Sequence, residues 1–286
     1  MLVLGIESAT PVASVALADE KGLLGEVMLN VGLTHSEQLL PMIDGLLRQC
    51  RLAIGDVTAI GVSAGPGSFT GLRIGMATAK ALAQGLSCKP DADAAGSGGR
   101  VRVLAVPTLE AMAWALIGQG GWVSPMLNAR REQIYAGLYH WRAEGAGEPA
   151  GEAQSASRRG KKERVPAGAG GVRRVLECLI PPEAASPDAW AGRIRECLGA
   201  AAGGSAPKAD EAVYLLGEGA EMYKEAWRAG LGEKARILPP VSGLSRGGFV
   251  ALAAMGALPC GGAREGWGER GLQDFYNMKP VYLRGI

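Results

Sequence analysis

Apolar and polar positions along the chain fall into short runs whose period can be read run by run. Leu2 to Ser8 alternates apolar and small residues as a strand does, Ala9-Thr10-Pro11 turns, and Ala13 to Ala18 reads as its partner. Asp19-Glu20-Lys21-Gly22 is a hairpin signal before a third strand, Leu23 to Leu29. Thr34-His35-Ser36-Glu37 fits a capping box, with Thr34 at the N-cap and Glu37 three residues on. The helix that follows, Ser36 to Cys50, carries Leu39, Leu40, Ile43, Leu46, Leu47 and Cys50 at helical spacing. Pro41 inside it predicts a bend, and Met42 lies off the main stripe. Thr58 to Ser63 leads as a strand into the turn Gly65-Pro66-Gly67-Ser68-Phe69-Thr70-Gly71 and then a helix to Leu86. Val101 to Val106 is another strand.

That order, three hairpin-linked strands followed by alternating helices and strands, predicts an α/β fold with mixed sheets and helices on their faces. A second pass follows. A helix runs from Pro107-Thr108 to Ile117, and strands Trp122 to Asn128 and Gln133 to Trp141 flank the polar turn Ala129-Arg130-Arg131-Glu132. Then come strand Val172 to Ile180, helix Asp188 to Leu198, strand Ala212 to Gly217, helix Glu218 to Ala229 and an Ala-rich helix Phe249 to Leu258. Two copies of one β-β-β-α-β-α unit are expected, an N-terminal subdomain over 1–106 and a C-terminal one over 107–286. Residues 91–100 form a polar, glycine-rich loop. Residues 144–171 and 199–208 hold few apolar anchors and are expected to be disordered insertions. The basic run near 158–164 reads first as a solvated charge run and second as a tRNA contact.

Composition narrows the function classes. The 286 residues carry a net charge of +2, too little to argue for general polyanion binding. No apolar run reaches the roughly 18 residues of a membrane span, and the start MLVLGIESA has no basic segment, so neither a membrane anchor nor a secretory signal is expected. The five cysteines are scattered with no C-x-x-C pair, which fits a reduced cytoplasm. With only His35 and His140, no paired-histidine motif can be written, and no metal ligands are assigned.

The glycine turn matches neither nucleotide fingerprint. A P-loop would need Gly where Thr70 stands and a following Lys-Ser/Thr. The spacing of Gly65, Gly67 and Gly71 is one residue too long for a dinucleotide turn. Two readings stay open: an anion site at a helix start, or a structural corner in which Gly67 permits the backbone and Ser68 or Thr70 caps the helix. Along that helix Gly71, Gly75 and Ala79, with Thr78 beside them, form a stripe of small residues. It suits close packing either against another subunit or within the domain.

Four blocks carry a specific resemblance: LGIESATPVASVAL from Leu4, HSEQLLPMIDGLL from His35, SAGPGSFTGLRIGMATAKALA from Ser63 and NARREQIYAGLY from Asn128. In these the chain resembles the TsaB (YeaZ) family of bacterial threonylcarbamoyladenosine tRNA modification, and PTLEAMA, LLGEGAEMY and PVYLR add weaker support. The resemblance implies the two-lobed actin/Hsp70/sugar-kinase fold. It implies a non-catalytic subunit that binds a TsaD-like catalytic partner and works with a TsaE-like ATPase, meeting tRNA mainly through the complex and pairing as a homodimer when alone. The metal-binding histidine pair of TsaD has no counterpart at Thr108-Leu109-Glu110-Ala111-Met112. Family contacts through the first two helices imply an interface of Leu39, Leu40, Ile43, Leu47, Thr70, Gly71, Ile74, Gly75, Thr78 and Leu82. Glu7 stands where the family more often has Asp.

No catalytic residue and no cofactor is assigned. Glu7, Ser8, Thr10, Gly65 and Gly67 are the candidate residual phosphate or nucleotide site. The alternative function is an ATP-dependent phosphotransferase of the same superfamily, which would need that hairpin plus a second acidic ligand. A peptidase reading finds no base beside Ser63 or Ser68.

Overall fold

The computed structural model describes residues 1–32, 34–87, 101–117, 119, 121–143, 162–164, 174–201 and 212–257. The chain divides into two compact units, the first comprising residues 1–114 and the chain from Ser245 through its last described helix, the second residues 115–244.

In the first unit, β1 (Val3–Glu7), β2 (Ala13–Asp19) and β3 (Gly22–Leu29) form the expected antiparallel meander, and β4 (Ala59–Ser63) and β5 (Arg102–Val106) add in parallel, in the order β3-β2-β1-β4-β5. Register decides which face each residue serves. Gly5 pairs with Ala16 and Gly61, and Glu7 with Ser14. Leu4, Ile6, Ile60 and Val62 therefore point one way, into a core shared with α1 (His35–Gln49) and α2 (Phe69–Ser87). The other face is nearly bare of bulk. There the Ala-rich α7 (Gly247–Ala257) lies so close that a Cβ on Gly5 would overlap the Gly247 carbonyl, and one on Gly61 would meet Ala254 Cβ at 2.7 Å.

The second unit repeats the plan. Its sheet runs β8-β9-β7-β6-β10-β11, with β6 (Gly121–Arg130), β7 (Gln133–Ala143) and β9 (Arg174–Ala185) antiparallel and β10 (Val213–Leu216) and β11 (Ala235–Ile237) parallel to β6. Read from β9 to β11, the order is that of the first sheet, so the duplication expected from the sequence is present. Trp122, Trp190 and Trp227 fill its core; Trp190 Nε1 donates to Ser124 Oγ at 3.0 Å and Trp227 Nε1 to the Gly219 carbonyl at 3.1 Å.

Several expectations need correction. The division falls after Trp114, not at 106/107, because α3 (Thr108–Ala113) is wholly buried beside α7, and α7 itself completes the first unit. The capping box at Thr34 does not form: the Thr34 side chain caps no backbone N–H, while Ser36 Oγ lies 3.4 Å from Thr34 Oγ1. The helix expected over 218–229 breaks at Tyr223 into α5 (Glu218–Met222) and α6 (Lys224–Leu231). Within the expected insertions, Lys162–Arg164 forms β8 on β9, and α4 (Pro187–Ala201) runs into 199–208. The rest of those insertions, residues 91–100 and the PVYLR block lie outside the described residues. Strand β11 has no counterpart in the sequence reading, being three residues long.

Candidate functional site

The turn between β1 and β2 is the natural place for a phosphate, because its backbone N–H groups lie at a strand end. In this chain they are already used. The Ser8 N–H donates to Ser63 Oγ at 3.2 Å and the Ala9 N–H to Glu7 Oε1 at 2.6 Å. The Thr10 N–H also favours the Glu7 anion, and Thr10 Oγ1 accepts from the Val12 N–H at 3.3 Å. The turn thus encloses the protein's own carboxylate. Glu7 is fully buried, and burial pushes its carboxyl up to about 7 despite the hydrogen bonds of Ser245, Ala9, Ser63 and Thr10 that favour the charged form. Ser245 approaches the carboxyl too loosely to complete a hydrogen bond, and among the described residues Glu7 Oε2 and Ser245 Oγ are both buried without a partner.

The glycine turn closes the same hairpin from outside. Gly65, at φ +110°, exchanges hydrogen bonds with Thr108: its N–H donates to Thr108 Oγ1 at 3.1 Å and its carbonyl accepts from the Thr108 N–H at 2.9 Å. A Cβ on Gly67 would overlap the Ala9 carbonyl, and that carbonyl accepts the Ser68 N–H at 2.6 Å. Ser68 caps α2, its hydroxyl accepting from the Gly71 N–H at 3.2 Å and its carbonyl from the Leu72 N–H at 2.9 Å. These close backbone approaches and the Ser68 cap are what the structural-corner reading expects of the turn. Gly65, Gly67, Ser8 and Thr10 do come together with Glu7, but as a closed packing joint. His35 Nε2 donates to the Thr10 carbonyl at 2.8 Å and ties the start of α1 to the same turn.

The candidate interface residues separate into two sets. Gly71 and Gly75 face inward: a Cβ on either would overlap Ser8, and Ala79 is buried in the core, so the small-residue stripe lets α2 sit tightly on its own sheet. Leu39, Ile43 and Leu47 are core residues as well, together with Met42, which the sequence reading had set aside. The buried stripe of α1 is 39, 42, 43, 46 and 47, and Leu40 lies outside it at 54% exposure. The second set stays at the surface: Leu40 and Thr70 exposed, with Ile74, Thr78 and Leu82 partly so. Phe69 joins them at 40% exposure, with the Arg73 guanidinium 4.2 Å above its ring. Its place as the first residue of α2 was the signal that could have found it.

A second polar cluster was not legible in sequence. On the α7 face of the sheet, Glu26 of β3 and Ser14 of β2 receive the start of α7. Gly247 N–H donates to Ser14 Oγ at 3.0 Å and Gly248 N–H to Glu26 Oε1 at 2.9 Å, while Arg246 pairs with Glu26. These partners are some 220 residues apart in the chain, and only the fold joins them. Glu110 is also buried, and its Oε1 has no hydrogen-bond partner among the described residues. Among the described residues no group of three His, Cys, Asp or Glu could hold a metal ion, and no helix is long and apolar enough to cross a membrane.

With this geometry in place, comparison with known proteins gives consistent matches. Residues 29–169 match the family model of TsaD, tRNA N6-adenosine threonylcarbamoyltransferase. The chain is 33% identical over 142 residues to the tRNA threonylcarbamoyladenosine biosynthesis protein TsaB of Bacillus subtilis, a match covering 50% of this chain and 56% of that one. It is 32% identical over 149 residues to the protein of the same name from Escherichia coli, covering 49% and 55%. The chain thus spans a little over half the length of these curated relatives. A Pseudomonas aeruginosa crystal structure described as similar to peptidase YeaZ superposes with a TM-score of 0.64 at 22% identity, covering 99% of both chains. A YeaZ structure from the same organism gives 0.60 at 22% identity over the same coverage. At that identity the likeness is one of fold.

Proposed function

We propose that this chain, a relative of the TsaB (YeaZ) proteins, is a non-catalytic subunit of tRNA threonylcarbamoyladenosine modification that binds and supports a TsaD-like catalytic partner together with a TsaE-like ATPase. The observation that carries the reading is the closed hairpin. Its Ser8 and Ala9 N–H groups are consumed by Ser63 and Glu7, where a phosphotransferase would need them for phosphate. Binding Mg-ATP there would require breaking that joint, which speaks against the phosphotransferase alternative. Substrate chemistry then belongs to a partner.

The outer faces of α1 and α2 supply the partner surface on this reading. Leu40, Phe69, Thr70, Ile74, Thr78 and Leu82 are its members, with Leu39, Ile43, Leu47, Gly71 and Gly75 holding the helices in place beneath it. In the absence of a partner the same apolar face pairs two copies of the chain. Work on tRNA puts the protein in the cytoplasm. Leu40→Glu tests the surface, because Leu40 is exposed and outside the core stripe. The variant is expected to keep its circular dichroism spectrum and lose co-elution with the TsaD-like protein in size-exclusion chromatography with light scattering. Wild-type chain that never associates with that protein would end the proposal.

A further inference from the structure

The β6–β7 hairpin breaks a local rule at its tip. Arg130 pairs with Gln133 across it, and a bulge lies between Asn128 and Arg130. Arg131 and Glu132 form the two-residue loop with φ of +50° and +57°, and Arg130 before them has φ +61°. Positive φ at both loop positions is the left-handed turn that Asn-Gly fills readily and that side-chain-bearing residues such as Arg and Glu resist. Asn128 Oδ1 holds the bend by accepting the Arg130 N–H at 2.8 Å. All three strained residues are exposed, while the flanking Ala129 and Ile134 are buried. Among the described residues neither guanidinium forms an ion pair or hydrogen bond. What the conformation achieves is to project two adjacent guanidiniums from a narrow tip.

From this geometry we propose that the tip is a contact for the phosphodiester backbone of structured RNA, an inference that rests on the tRNA reading above. Guanidinium forks match phosphate oxygens in bidentate geometry. A protein partner fits less well, since the exposed residues of the tip are Arg130, Arg131 and Glu132 and include no apolar anchor for an interface core. The tip is also distinct from the described part of the basic run, Lys162–Arg164. Strand β8, Lys162–Arg164, pairs with β9 at residues 175–177, which in turn face the Trp141 end of β7, while the hairpin lies at its Ile134 end. Glu132 is the one opposing charge in the turn.

The test uses the full chain assembled with its TsaD-like partner and a fluorescently labelled tRNA transcript, with anisotropy followed from 50 to 200 mM salt. Loss of two phosphate contacts in Arg130→Gln/Arg131→Gln is expected to weaken binding about tenfold at the low-salt end and to flatten the slope of log affinity against log salt by about 1–2. Its melting temperature should match the wild type, because both residues are exposed and neither guanidinium forms an ion pair or hydrogen bond among the described residues. Glu132→Gln should bind more tightly than the wild type. If the wild-type complex binds tRNA and the double variant binds with the same affinity and slope, the contact is overturned while the subunit reading stands. If the assembled wild-type complex does not bind tRNA at all, both fall together.

Discussion

Glu7 shows how far a single residue can be read from its neighbours in the chain. Its sequence position, at the end of the first strand before a short turn, suggested a phosphate hairpin. In the structure its own carboxylate accepts the Ala9 N–H of that hairpin. A buried carboxyl with its ionisation moved from 4.5 up to about 7 binds its proton more tightly in the folded state. The sign follows from linkage: the contribution to stability is fully present below pH 4.5 and is lost as pH rises through 7. Glu7→Gln, which keeps an oxygen to accept the Ala9 N–H and carries no charge, should therefore raise unfolding stability at pH 8 by up to about 3 kcal/mol and by little near pH 4.5. Urea denaturation at the two pH values checks this. Equal effects at both would show that the carboxyl is not held neutral by the fold.

At the scale of the element, α2 carries the clearest difference between pattern and packing. Gly71, Gly75 and Ala79 make a small-residue stripe that the sequence could assign either to a partner or to the domain itself. Spacing alone cannot choose, because both kinds of neighbour reward close approach. The structure puts Ser8 against Gly71 and Gly75, and the Ser8 hydroxyl donates to the Gly71 carbonyl at 3.0 Å. Gly71→Ala would drive a methyl into the Ser8 backbone carbonyl, which cannot step aside without moving the β1–β2 turn. A loss of about 1–3 kcal/mol of stability is expected, read as a lowered midpoint in thermal or denaturant unfolding of the isolated chain. An unchanged midpoint with impaired partner binding would return the stripe to the interface. Helix α1 teaches the same point through Leu40 and Met42: both fit an apolar count, but a sheet contacts only one stripe of a helix, and the 39-42-43-46-47 set is that stripe.

For the whole molecule, the decisive feature is the return of the chain to its first unit. Gly5 and Gly61 leave the β1–β4 face without bulk, and α7 supplies the matching Ala-rich surface, held by Ser14 and Glu26 at its N-terminus. A chain ending at Leu244 should therefore leave that face open. Hydrogen exchange is expected to show β1, β2 and β4 losing protection by orders of magnitude while β6, β7 and β10 keep theirs. Retained protection in β1 would mean that α7 does not complete the first unit.

Element types, their order and the duplication were legible because they rest on periods of two and 3.6 residues, on glycine and proline punctuation, and on short connections. The sequence blocks from Leu4, His35, Ser63 and Asn128 likewise sufficed for the family resemblance. Tertiary structure alone decided which side of each element is spoken for. It closed the hairpin around Glu7, turned Gly71 and Gly75 inward, left Leu40 and Phe69 outside, and bent Arg130 to Glu132 into a left-handed turn. The reason is physical: periodicity says that a face will be buried, but the partner that buries it can lie more than two hundred residues away, as Glu26 lies from Gly248, and nothing local in the chain records that meeting.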